Sequence, residues 1–214
     1  MHIVEALKKF NRKERYWLIR NALGPSSGQL GQKFRSDLEK TIGIEIPQNT
    51  WWSMDYHLDW LVGALALFED REINVKARDN RAGLVKGNQE DVDLVVAFGN
   101  TLILIEAKGD TSWSNAQLDS KLPRLEAIFG MNFEGRYGSN ELSVYFVLMS
   151  PKKSSRLIRQ GGLPWPKWMT DKNGQPFWMP MQMAEADETS SFLKVTRCMD
   201  EGTVSKDGTS WKLN

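Results

Sequence analysis

The hydropathy pattern predicts a mixed α/β fold, and three observations carry that expectation. Residues 92–108 read as two strands, apolar on both faces, joined by Gly99-Asn100. Residues 142–149 read as a further buried strand. Helical stripes surround them at 3–22, 29–42, 51–69 and 114–129. The expected core spans 51–150 in the order helix, strand, strand, strand, helix, strand, a mixed sheet flanked by helices. N-terminal helices over 1–50 precede it, and a β-rich extension over 151–214 follows it.

Each element has a local reason. Ile3, Leu7, Phe10 and Trp17 recur at near-helical spacing, with basic residues between them. Gly24-Pro25-Ser26-Ser27-Gly28 breaks that helix, and Gly43 stops the next. From 51 to 69, Met54, Leu58, Leu61, Val62, Leu65 and Phe68 fall on one side of a helical wheel. Ile73 to Ala77 reads as a short strand, followed by a polar connection. Ser114 with Gln117 opens the helix to 129, which Pro123 is expected to kink. After Pro151, Trp165, Trp168 and Trp178 lie among prolines, and Phe192 to Cys198 reads as a strand.

Composition bounds the function classes. The chain has 214 residues, 41% hydrophobic and 26% charged, as expected of a folded domain with an extension. The longest apolar run, Trp60 to Phe68, is far short of the roughly 20 residues that span a membrane. Basic residues occupy the place of a signal peptide's apolar region, so a cytoplasmic location is expected. Cys198 is the only cysteine, which excludes an intrachain disulfide and a Cys-rich zinc site. Net charge is +1, but it is segregated. Residues 1–40 hold nine Lys/Arg against four Asp/Glu, whereas 41–100 hold five against ten. An acidic centre with basic ends suits a metal site whose flanks meet phosphates; an unevenly charged solvated surface is the plainer reading.

The chemistry concentrates in the hairpin. A two-residue turn pairs Phe98 with Thr101, which puts Asp93 opposite Glu106 and Asp91 opposite Lys108. Alternation then places all four on one face. Directly opposed carboxylates repel, and they are costly among Val and Ile unless compensated. A divalent cation would turn that liability into a site, with the Ala107 carbonyl as a further ligand.

Asp93, then twelve residues, then Glu106-Ala107-Lys108 resembles the PD-(D/E)xK nuclease superfamily, the restriction-endonuclease-like fold. Val92 stands where that family often has proline. The resemblance covers about half the chain. It implies Mg²⁺, replaceable by Mn²⁺, on Asp93, Glu106 and the Ala107 carbonyl. It implies that Lys108 positions the attacking water and that Gln117 is the glutamine often found on the following helix. It implies hydrolysis of phosphodiester bonds leaving a 5′-phosphate, with nucleic acid, DNA first, as partner. Membrane association is not expected, and a homodimer is compatible. The rival is a non-catalytic nucleic-acid-binding or assembly protein on the same fold. A different chemistry, with the hairpin as a plain core element, is the second rival.

Other residues carry weaker signals. Asp119-Ser120-Lys121 also fits (D/E)xK, but its expected place in a helix marks it as a decoy. Gln117 also serves a capping box with Ser114. Asp55 borders the apolar stripe of 51–69 and is the better guess for a third acid, or else a solvated acid near a helix start. His57 falls on the opposite border and reads as surface, and Cys198 as a structural thiol. The C-terminal tryptophans read as core before base-stacking platforms. Lys152, Lys153, Arg156 and Arg159 suit either a phosphate backbone or a solvated face.

Overall fold

The computed structural model describes residues 1–73, 75–87, 90–109, 113, 118, 121–138, 141–154, 157, 159, 163–182 and 195–213. The polypeptide divides into two units, Met1–Met181 and Gln182–Asn214. In the first, β1 (Trp51–His57), β2 (Asp91–Phe98), β3 (Thr101–Ala107), β4 (Ser143–Ser150) and β5 (Trp178–Pro180) form one sheet in that order. β1, β2 and β3 are antiparallel neighbours, while β4 runs parallel to β3 and β5 parallel to β4. The helices are α1 (Ile3–Phe10), α2 (Glu14–Leu23), α3 (Gln32–Ile42), α4 (Leu58–Asp70) and α5 (Leu122–Phe129). The fold is therefore mixed α/β, a five-stranded mixed sheet flanked by helices. No described helix is long and apolar enough to cross a membrane.

Strand alternation builds two cores. On β3, Leu102 and Leu104 enter the larger core with α1, α4 and α5. Ile103 and Ile105 enter the smaller core with Leu38 and Ile42 of α3. Both faces of the hairpin are covered, which is why its strands read as continuous apolar runs. α4 buries Leu58, Leu61, Val62, Leu65 and Phe68 among others; each large apolar side chain so buried contributes roughly 1.5–3 kcal/mol. Gly63 lets α1 approach, since a Cβ there would stand 2.9 Å from the Phe10 ring.

Several local expectations need correction. Residues 51–57 form a strand, and the helix begins only at Leu58. Leu58 to Phe68 alone sustains the apolar stripe; Trp51, Trp52 and Tyr56 carry rings that suit a pleated edge better. This strand takes the place expected for 73–77. The described residues there lie outside any strand, with Ile73 and Val75 exposed. The helix expected over 3–22 breaks after Phe10, because Asn11 turns inward and accepts a hydrogen bond from Ser53 Oγ at 3.0 Å. Pro123 opens α5 rather than kinking a longer helix; at that position its missing N–H leaves no helical bond unmade. Residues 114–117, 119 and 120 lie outside the described residues. Trp168 is buried against Phe129 and Phe146 in the core of the first unit, and Trp178 lies on β5 of its sheet. The second unit contains the hairpin β6 (Val195–Cys198) and β7 (Ser210–Leu213), with Cys198 buried.

Candidate active site

Gly99, at φ +50°, closes the tight turn, and Phe98 faces Thr101 as expected. The ladder between β2 and β3 runs to Leu94–Ile105 and ends there. β3 then follows β4 to Ala107–Met149, while β2 follows β1 to His57–Asp91. Asp93 and Glu106 sit where the two strands part. Val95 and Leu104, one alternation nearer the turn, both belong to the core under α4 and α5. The two acids accordingly share that face.

The fork leaves backbone groups to satisfy, and side chains do it. The Ala107 N–H donates to Asp93 Oδ2 at 2.7 Å. The Lys108 N–H donates to the Met149 carbonyl at 2.8 Å, on the β4 side. Neither Asp93 and Glu106 nor Asp91 and Lys108 are therefore ladder partners, against the sequence expectation: the strands have diverged before reaching them. Asp91 instead meets β1 and the N-terminal segment. Lys13 Nζ donates to its Oδ2 at 2.8 Å. His57 Nδ1 lies 2.6 Å from Oδ1. That approach is close but not aligned as a hydrogen bond, and Oδ1 is buried without a hydrogen-bond donor.

Glu106 is 6% exposed. Its carboxyl is pushed up to about 7 by burial first. The Lys121 ammonium pulls it down, and the neighbouring Asp93 charge pushes it up again. Lys121 Nζ donates to Glu106 Oε1 and, at 2.6 Å, to the Asp91 carbonyl. Lys121 thus reaches the fork from outside the hairpin. It immediately precedes α5, and the packing of that helix on the acid-bearing face delivers its ammonium to the fork. Spacing in the chain gave no sign of this, because the partners are 15 residues apart and on different elements. Gln117 and Asp119 lie outside the described residues.

Asp55 is on β1, not on a helix. By register it stands opposite Asp93, yet that pair is missing from the ladder and Asp55 has φ +49°. Its carboxylate takes a 2.9 Å bond from Arg15. Three acids thus occupy one row across β1, β2 and β3. Among the described residues, however, no group of three or more His, Cys, Asp or Glu side chains gathers where it could hold a metal ion. His57 is the last residue of β1, largely covered, and edge-on to Trp60 at 4.1 Å.

A second buried ionic cluster escaped the sequence reading. Arg124, 3% exposed, donates to Glu90 at 3.0 Å, to Asp59, and to the Leu84 carbonyl at 2.7 Å. Burial would raise the Asp59 carboxyl. Hydrogen bonds from the Lys86 N–H, Arg124 and the Gly87 N–H hold it below its ordinary value instead. Arg124 interrupts an apolar stripe of Leu122, Leu125 and Ile128, which was the available signal.

No family model, curated protein or solved structure matches this chain.

Proposed function

We propose that the chain is a metal-dependent nuclease of the PD-(D/E)xK type, hydrolysing phosphodiester bonds of nucleic acid, DNA first. The observation that carries this reading is the fork itself. It holds Asp93 and the buried Glu106 on one face, at the point where the sheet opens, with a lysine on Glu106. The element order supports it as well. α3, β1, β2, β3, α5, β4 follow the helix, three strands, helix, strand of the restriction-endonuclease-like core, with α4 inserted after β1.

The donor set suits Mg²⁺ or Mn²⁺, which take hard oxygen ligands and keep several waters. Asp93 commits Oδ2 to Ala107 and Glu106 commits Oε1 to Lys121. The second oxygen of each, with the Ala107 carbonyl, would hold the ion. When bound, it would polarise the phosphate and acidify water. The protein's own groups do the rest. Asp93 fixes the Ala107 peptide and so the edge of the site. Lys108, one residue past β3, orients the attacking water and offsets charge growing on the phosphate. Lys121 neutralises Glu106 in the metal-free protein and keeps a buried carboxylate tolerable.

A plasmid-nicking time course with Mg²⁺ or Mn²⁺ at low salt tests the reading. Lys108→Ala is expected to cut activity roughly 10²-fold or more, the usual cost of losing one electrostatic stabiliser. Asp93→Asn is expected to abolish it. Failure of the parent to cleave any substrate would overturn the reading. The alternative, a nucleic-acid-binding or assembly protein on the same fold, draws on the Lys121–Glu106 pair, which balances the acid without a cation.

A further inference from the structure

At the β1 edge, a cavity of about 520 Å³ opens between α1, α2 and the start of β1. Its aromatic lining is Tyr16, Trp17, Trp51 and Trp52, and Lys8 and Arg20 supply its charge. Asn11, Gln29 and Asn49 add amide groups, and no Asp or Glu among the described residues lines it. The larger cavity beside α4 is different, lined by Asp59, Glu72 and Asp79 as well as by Lys9 and Arg78.

The groove is built rather than incidental. Tyr16 stands edge-on to both Trp17 and Trp52, each at 5.2 Å between centroids. Arg20 lies over the Tyr16 ring at 5.7 Å. Gly28 gives that guanidinium its room, since a Cβ there would stand 2.6 Å from Arg20 Nη1. Trp17 remains 50% exposed, although hydrophobic packing would favour covering it. Aromatic faces interleaved with cations, without acids between them, are the chemistry of single-stranded nucleic acid: bases stack on rings, and cations track phosphates. Further basic side chains lie nearby in the chain, Arg12 between α1 and α2 and Arg15 on α2, the latter paired with Asp55.

We propose that this groove binds a single-stranded segment of nucleic acid, with Trp17 as a stacking platform and Lys8 and Arg20 as phosphate contacts. The proposal rests on the nuclease reading for the kind of substrate and adds how that substrate is held. Trp51 pairs with Ala97, four residues along β2 from Asp93 and on the same face, which is about 13 Å of strand. A strand seated in the groove therefore lies within reach of the acids. Because β1 is the sheet's edge strand, no described strand stands outside it. Stacking needs unpaired bases, so a duplex should bind there less well than a single strand.

The test is fluorescence anisotropy of a labelled oligothymidine and a matching oligouridine, in EDTA so that binding is read apart from cleavage. Trp17→Ala should weaken binding roughly 5- to 150-fold, the range for losing one base stack. Trp17→Phe keeps a ring and should retain most of it, which separates stacking from loss of fold. Lys8→Ala and Arg20→Ala should each weaken binding and flatten the salt dependence, by a log–log slope of about 0.7 for each phosphate that is no longer neutralised. Lys172→Ala, on an exposed turn away from the groove, should change nothing. Equal binding by the parent, Trp17→Ala and Arg20→Ala would overturn the groove, as would duplex competing as well as single strand. Oligonucleotide binding with those sensitivities, in a parent that cleaves nothing, would uphold the groove and sink the nuclease. Cleavage by a parent whose binding ignores all three variants would do the reverse.

Discussion

Two buried ionic clusters lie beside α5, and they are balanced differently. Around Arg124, two carboxylates, a carbonyl and two backbone N–H groups satisfy one another, and Asp59 is held ionised. Around Glu106, one ammonium faces a buried carboxyl whose neighbour is another acid, and the carboxyl is pushed up to about 7. The first arrangement ties Leu84, Lys86, Gly87 and Glu90 to α4 and α5. The second leaves the Glu106 carboxyl raised, in a place where a bound cation would favour its ionised form. Each cluster centres on a buried charged group, Arg124 or Glu106, so burial alone does not separate a structural ion pair from a candidate site. The separation comes from whether the hydrogen bonds fully balance the charge.

That contrast can be broken by removing one partner from each cluster. Arg124→Ala should be the most damaging, destabilising the protein by about 3–5 kcal/mol, because it removes a buried guanidinium and leaves the partly covered Asp59 and Glu90 without it. Urea unfolding measures it. A loss below about 1 kcal/mol would mean that water replaces the guanidinium and that the cluster is not structural.

The Glu106 cluster should show itself through pH. Its native carboxyl titrates near 7 and the unfolded one near 4.5. Between those values the native state holds a proton that the unfolded state has released. Stability then falls as pH rises from about 4.5 to 7 and levels off above. The drop attributable to this group is on the order of 3 kcal/mol. Glu106→Gln should flatten it, as unfolding curves at about pH 5, 6 and 8 would show. An unchanged slope in the variant would assign the titration elsewhere.

Mg²⁺ gives a sharper reading of the same cluster. A cation that binds only the native state adds about 2.7 kcal/mol at a hundredfold excess over its dissociation constant. Thermal melts of the parent should rise with Mg²⁺, and those of Glu106→Gln should not. An equal rise in both places the ion at another site. The smallest effect belongs to Arg15→Ala. Its pair with Asp55 has an exposed guanidinium, so about 0–1 kcal/mol is expected from the same unfolding assay. A larger loss would mean that Arg15 supports the kink at Asp55 beside the fork.

How much of this was legible beforehand depended on the range of the interaction. The hairpin register was, as far as Leu94–Ile105, because Gly99-Asn100 admits a two-residue turn and a turn fixes the pairs nearest it. The shared face of Asp93 and Glu106 follows from that register. β3 and β4 were legible because burial on both faces leaves an unbroken apolar run. Trp51–His57 misread as helix because Met54 continues the stripe of α4 by coincidence. The rings of Trp51, Trp52 and Tyr56 favour a strand locally, but that weak preference yields to the stripe until β2 is there to pair with them.

What the chain determined by itself were the features set within a few residues: the turn, the alternation, the stop at Gly43 and the placement of acids on the hairpin. What tertiary structure decided was where the hairpin opens and which cation reaches it. The ladder ends at Leu94–Ile105 because β2 follows β1 and β3 follows β4, and neither partner is adjacent in sequence. Lys121 reaches Glu106, and Arg124 reaches Asp59, because α5 packs across that face. Charge acts through space and is strongest where water is excluded. The pairings that matter most to a buried carboxylate are therefore those that local pattern describes least.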